Sequence, residues 1–324
     1  IFQNFEKNTG YSYNDLLRYF VKIGVIYVYA NAFLYFVEIP IWEKFRPWWG
    51  RISQGYPPVD GVVLAFCLSV IIIYDNLGIT PKKRLFYTIS ILTGISSIVS
   101  ATAFVLAFVI LLFTVPALVY KKNSLLRRNL LSSFTFVLLI VVTLSVIFRI
   151  KEPLLYERTT EMMNSKIAQI LNNESDIEVN TLEMRDDRYE YLQNMYLKPF
   201  ESRMFGVGYS KVNYNTDDLD NTSIFLEDQY SLNLITGGIV CNLLFIFLLL
   251  ELFIRAFFNK KRPLNIRLLT GVSVIVLALA AFTSVVLDAF CIIATFSLIY
   301  SCSYYKHLDD ASSKGNLNNI EAQT

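Results

Sequence analysis

The chain of 324 residues is 54% apolar and 15% aromatic but only 17% charged, with a formal net charge of +2. A soluble domain runs nearer about 45–50% apolar and about 25% charged. The apolar excess gathers in runs of about 15–25 residues, long enough to cross a hydrocarbon core about 30 Å thick, which excludes a soluble globular enzyme, a disordered chain and a disulfide-stapled secreted domain. The basic residues are scattered between these runs, so nothing points to nucleic acid. Cys67, Cys241, Cys291 and Cys302 lie in or beside apolar runs without metal-ligand spacing and read as small apolar fillers. The chain begins with Ile1 rather than Met, and an amino terminus ahead of it is expected.

In chain order the runs predict spans over 18–39, 59–76, 84–99, 101–120 and 129–148, then 231–254, 268–287 and 289–304. The first is interrupted by Arg18, Lys22, Asn31 and Glu38, and the third is short and rich in Ser and Thr. The others are nearly uncharged and in lipid must be helical to satisfy their backbone. Lys and Arg set the orientation. Seventeen fall on one side of the spans, against three in the short opposite connection at Lys44, Arg46 and Arg51. The richer side is cytoplasmic. The expected organisation is five spans within 1–148 with an outer Arg/Trp loop at 41–58, a large extracytoplasmic loop at 149–230, three spans within 231–305, and a cytoplasmic tail at 306–324. The fold expected is an all-α, multi-pass integral membrane protein with about eight transmembrane helices and one large, partly helical outer loop.

That outer loop holds nine Lys and Arg against sixteen Asp and Glu, which excludes a basic lipid-binding or nucleic-acid surface. Residues 185–198 place Tyr189, Leu192, Met195 and Tyr196 at helical spacing, and 157–171 do the same with Met163, Ile167, Ile170 and Leu171. Residues 172–184 are acidic and polar and read as a turn, and the tail beyond 307 is polar throughout.

The only histidine, His307, lies in the tail, so no Ser/His/Asp triad or His-rich metal site can be assembled. No Cys-x-x-Cys pair exists either. Gly206-Val207-Gly208 follows no strand and opens no long helix, so it reads as a turn and not a phosphate cradle.

Three outer constellations remain. Around Trp42, Arg46, Trp48, Trp49 and Arg51, indoles stand beside cations. This pattern suits an aromatic belt with snorkelling cations, or a site where a guanidinium fork binds an anionic headgroup and a sugar stacks on Trp49. The second constellation runs from Arg185 and Arg188-Tyr189 through Arg203 to the Gly206–Gly208 turn, where the arginines either pair with neighbouring carboxylates or face a ligand. The third, Glu227-Asp228-Gln229-Tyr230, stands where the loop re-enters the membrane ahead of Gly237-Gly238. Asp288, between two apolar runs, is a further carboxylate near lipid.

The order of Arg188-Tyr189, Gly206-Val207-Gly208 and then Glu227 through Ile239 resembles the O-antigen polymerase and O-antigen ligase family. That family shows an Arg-aromatic pair, a Gly-x-Gly turn and a polar-Tyr-Leu stretch ending in Gly-Ile inside the next helix. Gly50-Arg51 with Gly55 and Pro57-Pro58 is similar to its outer Arg loop. The resemblance covers about residues 40–290. Its ligases carry a histidine where Glu227 stands here, which favours the polymerase branch.

What the resemblance implies is a type C glycosyltransferase-like membrane enzyme of polysaccharide biosynthesis (O-antigen, capsule or exopolysaccharide) in the bacterial cytoplasmic membrane. It would transfer glycan from an undecaprenyl-diphosphate donor to an acceptor sugar hydroxyl at the outer face. Arg51 and Arg188 would stabilise the departing diphosphate and Glu227 or Asp228 would take the proton. Arg46, Arg185, Arg203, Tyr189, Tyr230 and Trp49 would bind substrate. Neither metal nor cofactor is expected, and the partners are the lipid-linked oligosaccharide, the bilayer and a chain-length regulator. Ligase-type transfer and a non-enzymatic lipid-linked oligosaccharide transporter or flippase are the alternatives.

Overall fold

The computed structural model describes residues 12–37, 57–74, 77–98, 100–120, 197–208, 228–258, 264–282, 286–287 and 290–301, with single positions at 157, 190, 193 and 194. Among them the structure is helical, without strands. In chain order the helices are α1 (Tyr13–Val37), α2 (Pro57–Ile73), α3 (Pro81–Ile98), α4 (Ala101–Tyr120), the short α5 (Phe200–Phe205), α6 (Gln229–Phe257), α7 (Leu264–Ala280) and α8 (Phe290–Ser301). Tyr13–Leu34 and Gln229–Phe257 are long and apolar enough to cross a membrane. Pro58–Ile73, Thr102–Leu112, Leu264–Ala280 and Phe290–Ser301 are shorter apolar helices.

Helix α1 starts on a capping box. The Asp15 amide donates to Ser12 Oγ, and the Ser12 amide and hydroxyl both donate to the Asp15 carboxylate. Tyr13, Leu17, Val21, Val25 and Val28 form a buried stripe at helical spacing, while Tyr19, Ile23, Ile26, Tyr29 and Phe33 stand exposed on the other side. The polar interruptions of this run are accommodated locally. Arg18 pairs with Asp15, Lys22 lies over the Tyr19 ring at 5.1 Å, and buried Asn31 is hydrogen-bonded to Tyr27.

Helix α2 begins with two prolines, whose missing N–H groups fall where a first helical turn has no partner for them. It is the centre of the bundle and packs against α1, α3, α4 and α7. Small residues let the helices close: a Cβ on Gly61 would lie 2.6 Å from Ala103 Cβ of α4, and one on Gly24 2.6 Å from Cys67 Sγ. The Ser/Thr-rich α3 satisfies its hydroxyls along its own backbone. Thr88 and Ser90 donate to the carbonyls of Arg84 and Phe86.

Seven of the expected spans thus correspond to helices, and the eighth, 129–148, lies outside the described residues. Two ends differ. The run 59–76 is helical only to Ile73, where the carbonyl of Tyr74 accepts from Arg84 at the start of α3. The run 268–287 stops at Ala280, because the chain turns at Ala281 and Phe282. The Ala281 carbonyl accepts the amide of Gln229 at 2.8 Å instead of continuing a helical ladder.

Candidate functional site

Residues 200–208 and helix α6 meet at a pair of glycines. Helix α6 is interrupted at Gly238, with φ 70° and ψ −171°, and Gly206, which ends α5, adopts φ 72° and ψ −173°. Only glycine occupies this region readily. The break frees carbonyls in α6, and the turn from the loop takes them: the Val207 amide donates to Ile235 O and the Gly208 amide to Thr236 O, both at 2.9 Å. The backbones approach closely. A Cβ on Gly206 would come within 2.3 Å of the Thr236 carbonyl carbon, and one on Gly238 within 2.3 Å of the Met204 carbonyl. Residues 206–208 are therefore a turn, as their spacing predicts, and α5 is held across the interruption in α6.

The first turns of α6 are tied down by polar groups. Asp228 is the N-cap, its Oδ1 accepting the Ser231 amide at 2.7 Å. Gln229 is buried and bridges two elements: its Oε1 accepts the Leu287 amide at 2.9 Å, and its Nε2 donates to Asn233 Oδ1 at 2.8 Å. That chain of bonds orients the Asn233 amide and leaves its buried Nδ2 without an acceptor. Past the break, Asn242 Oδ1 is likewise buried without a donor.

Of the residues the sequence assigns to catalysis or substrate binding, three are described. Asp228 caps α6. The Tyr230 hydroxyl donates to Ala278 O at 3.2 Å, and its ring packs 4.4 Å from Phe282 and 5.6 Å from Phe245. Arg203 is exposed on α5 and its Nε donates to Leu197 O at 2.7 Å. Asp228 and Tyr230 share the start of α6, and Arg203 stands on the short helix clasped to it. Arg46, Trp49, Arg51, Arg185, Arg188, Tyr189, Glu227 and Asp288 lie outside the described residues.

Sequence reasoning gave no role to Gln229 or Asn233. The readable signal was two carboxamides four residues apart at the head of an apolar run, which puts both on one helix face. Chemically, this end of α6 offers a carboxylate at its cap, an exposed guanidinium on the clasped helix and carboxamides on its inner side. No family model matches the chain, and no curated protein sequence matches it.

Proposed function

We propose that the protein is a multi-pass polymerase of lipid-linked oligosaccharide repeat units, working at the outer face of a bacterial cytoplasmic membrane. The observation that carries this reading is the interlock of Gly206-Val207-Gly208 with Gly237-Gly238 of α6. Two segments of the polymerase-like pattern, some thirty residues apart in the chain, are packed backbone to backbone about two turns along α6 from the Asp228 cap.

In the proposed reaction an acceptor hydroxyl attacks the anomeric carbon of the donor sugar. The glycosidic C–O bond forms as the bond to undecaprenyl diphosphate breaks, and the hydroxyl proton passes to a carboxylate. Diphosphate is a good leaving group, so the step needs cationic stabilisation of the departing oxygens and a base rather than a general acid. Arg51 and Arg188 supply the cations, with Arg185 and Arg203 assisting, and no metal is called for. Because Asp228 already uses one oxygen to cap α6, Glu227 is the base. Arg46, Trp49, Tyr189 and Tyr230 complete the binding surface.

The test is a purified preparation given undecaprenyl-diphosphate-linked repeat units without ATP or an ion gradient. Polymer should form, and Arg51→Ala, Arg188→Ala and Glu227→Gln should remain in the membrane while losing chain growth. Loss of one preorganised donor to a developing anion costs about 3–4 kcal/mol, or roughly 100–1000-fold in rate. Wild-type chain lengths from all three variants would refute the site. Movement of unpolymerised substrate across the bilayer would instead identify a transporter.

A further inference from the structure

Helix α6 changes character at Gly238. Ahead of the break, none of its large apolar side chains is exposed: Leu232 and Ile235 are buried, Tyr230 and Leu234 partly so. From Ile239 onward the pattern reverses, and Ile239, Leu243, Leu244, Ile246, Phe247 and Leu248 all stand exposed. Residues 239–257 rise about 28 Å at about 1.5 Å per residue, close to the thickness of a hydrocarbon core. The interruption therefore coincides with the level at which α6 turns from a protein-covered surface to one suited to lipid.

The clasp fixes α5 at that same level, since its last residues abut Gly238 and the following turn bonds to residues 235 and 236. A phenylalanine stands at each end of α5. Phe200 is 75% exposed and Phe205 69% exposed, while Met204 between them is half-buried with its backbone carbonyl against Gly238. Two exposed aromatic rings on one six-residue helix would be costly in water; Glu201 and Arg203 are exposed too, on separate faces about 160° apart at about 100° per residue.

We propose that α5 is an interfacial anchor, lying at the boundary of headgroups and acyl chains of the outer leaflet with Phe200 and Phe205 in the upper acyl region. The occupant of this surface is lipid, because the exposed apolar stretch of α6 begins beside it. The inference rests on the membrane-crossing reading of α6 made above and not on the polymerase chemistry. It gives that reading a geometry: Arg203 is carried at headgroup depth, where the diphosphate of a lipid-linked substrate lies, and residues 229–238 stand outside the hydrocarbon. The membrane-embedded part of this run is then 239–257 rather than the expected 231–254.

The test uses the full chain in phosphatidylethanolamine/phosphatidylglycerol vesicles, with Trp42, Trp48 and Trp49 changed to Phe and one reporter at a time, Phe205→Trp or Phe247→Trp. At Phe205 the expected emission is blue-shifted and loses most of its intensity to lipids brominated near the headgroup. At Phe247, about 12 Å further along the helix at about 1.5 Å per residue, lipids brominated deeper in the chain should quench more strongly. Phe200→Trp replaces the first reporter if Phe205→Trp does not fold. A reporter at Phe205 quenched by aqueous iodide and not by lipid overturns the anchor. So does one that is blue-shifted yet insensitive to both quenchers, which would mean protein covers it. If the Phe247 reporter also ignores brominated lipid, the membrane-crossing reading of α6 fails, and the polymerase proposal with it.

Discussion

Helices α2 and α6 carry the same kind of apolar sequence and occupy opposite situations. From Val62 to Tyr74, α2 is enclosed by four neighbours, with only Val63 partly open; even Cys67 and Ser69 are fully covered, and Ser69 donates to the Phe66 carbonyl of its own helix. Helix α6 packs on α5 and α7, exposes most of its large side chains beyond Gly238, and is broken where residues 204–208 touch it. Gln229 and Tyr230 are tied to other elements, while buried Asn233 Nδ2 and Asn242 Oδ1 have no partner. An unbroken helix packed on all sides has no spare backbone groups to offer. A broken one at the edge exposes carbonyls that a distant segment can claim, and that is how residues 206–208 are fixed to α6.

The sharpest way to test this contrast is to truncate one phenylalanine in each helix. Phe66→Ala empties a fully covered site in α2 and should cost about 3–5 kcal/mol. Phe247→Ala removes a side chain that is 64% exposed and should stay within about 0.5 kcal/mol of wild type. Detergent-denaturant titration in mixed micelles measures both. Equal losses would mean that α6 is covered by something the isolated chain lacks.

The clasp can be separated from simple backbone strain. Gly206→Ala and Gly208→Ala both put a side chain on a positive-φ residue, which costs about 1–3 kcal/mol. Only at Gly206 does the new Cβ run into the α6 backbone; at Gly208 nothing lies within 4 Å. Gly206→Ala should therefore be the more damaging by a clear margin in thermal stability, and it should raise protease cleavage between residues 209 and 227. Similar effects from both would show that the turn, and not its docking, matters.

The finest difference expected is between two variants at the head of α6. Gln229→Leu leaves the Leu287 amide and Asn233 Oδ1 unpaired and should cost about 1–3 kcal/mol, as expected for an orphaned buried group. Asn233→Leu removes a side chain that already holds one orphan atom and should cost less. The same titration ranks the two, and the reverse order would show that the Gln229 bridge is not what holds the α7–α8 turn.

Most of the helical scaffold was legible, because an apolar run long enough to span lipid has few alternatives to a helix. The misreadings share a cause. The stretch after Ala280 continues with Phe282 and Val285-Val286-Leu287 and looks like more span, yet the chain turns at Ala281 and Phe282, where the Ala281 carbonyl accepts the amide of Gln229, some fifty residues earlier. The break at Gly238 was hidden in the same way: glycine pairs are common in membrane helices, and only the approach of Met204 and Phe205 makes this one a discontinuity. For the candidate site, the turn at 206–208 was readable from its glycines. The bridging role of Gln229 was not, since both its partners lie outside its own segment.

Both ends of the stretch from 209 to 227 are moored to a single helix: the residue before it bonds to Thr236, and the residue after it caps the helix beginning at Gln229. Those moorings are about 12 Å apart along α6 at about 1.5 Å per residue, a gap that about four extended residues can bridge. The described residues on either side of it, Gly208 and Asp228, are therefore carried by one helix, so any shift of α6 moves both together.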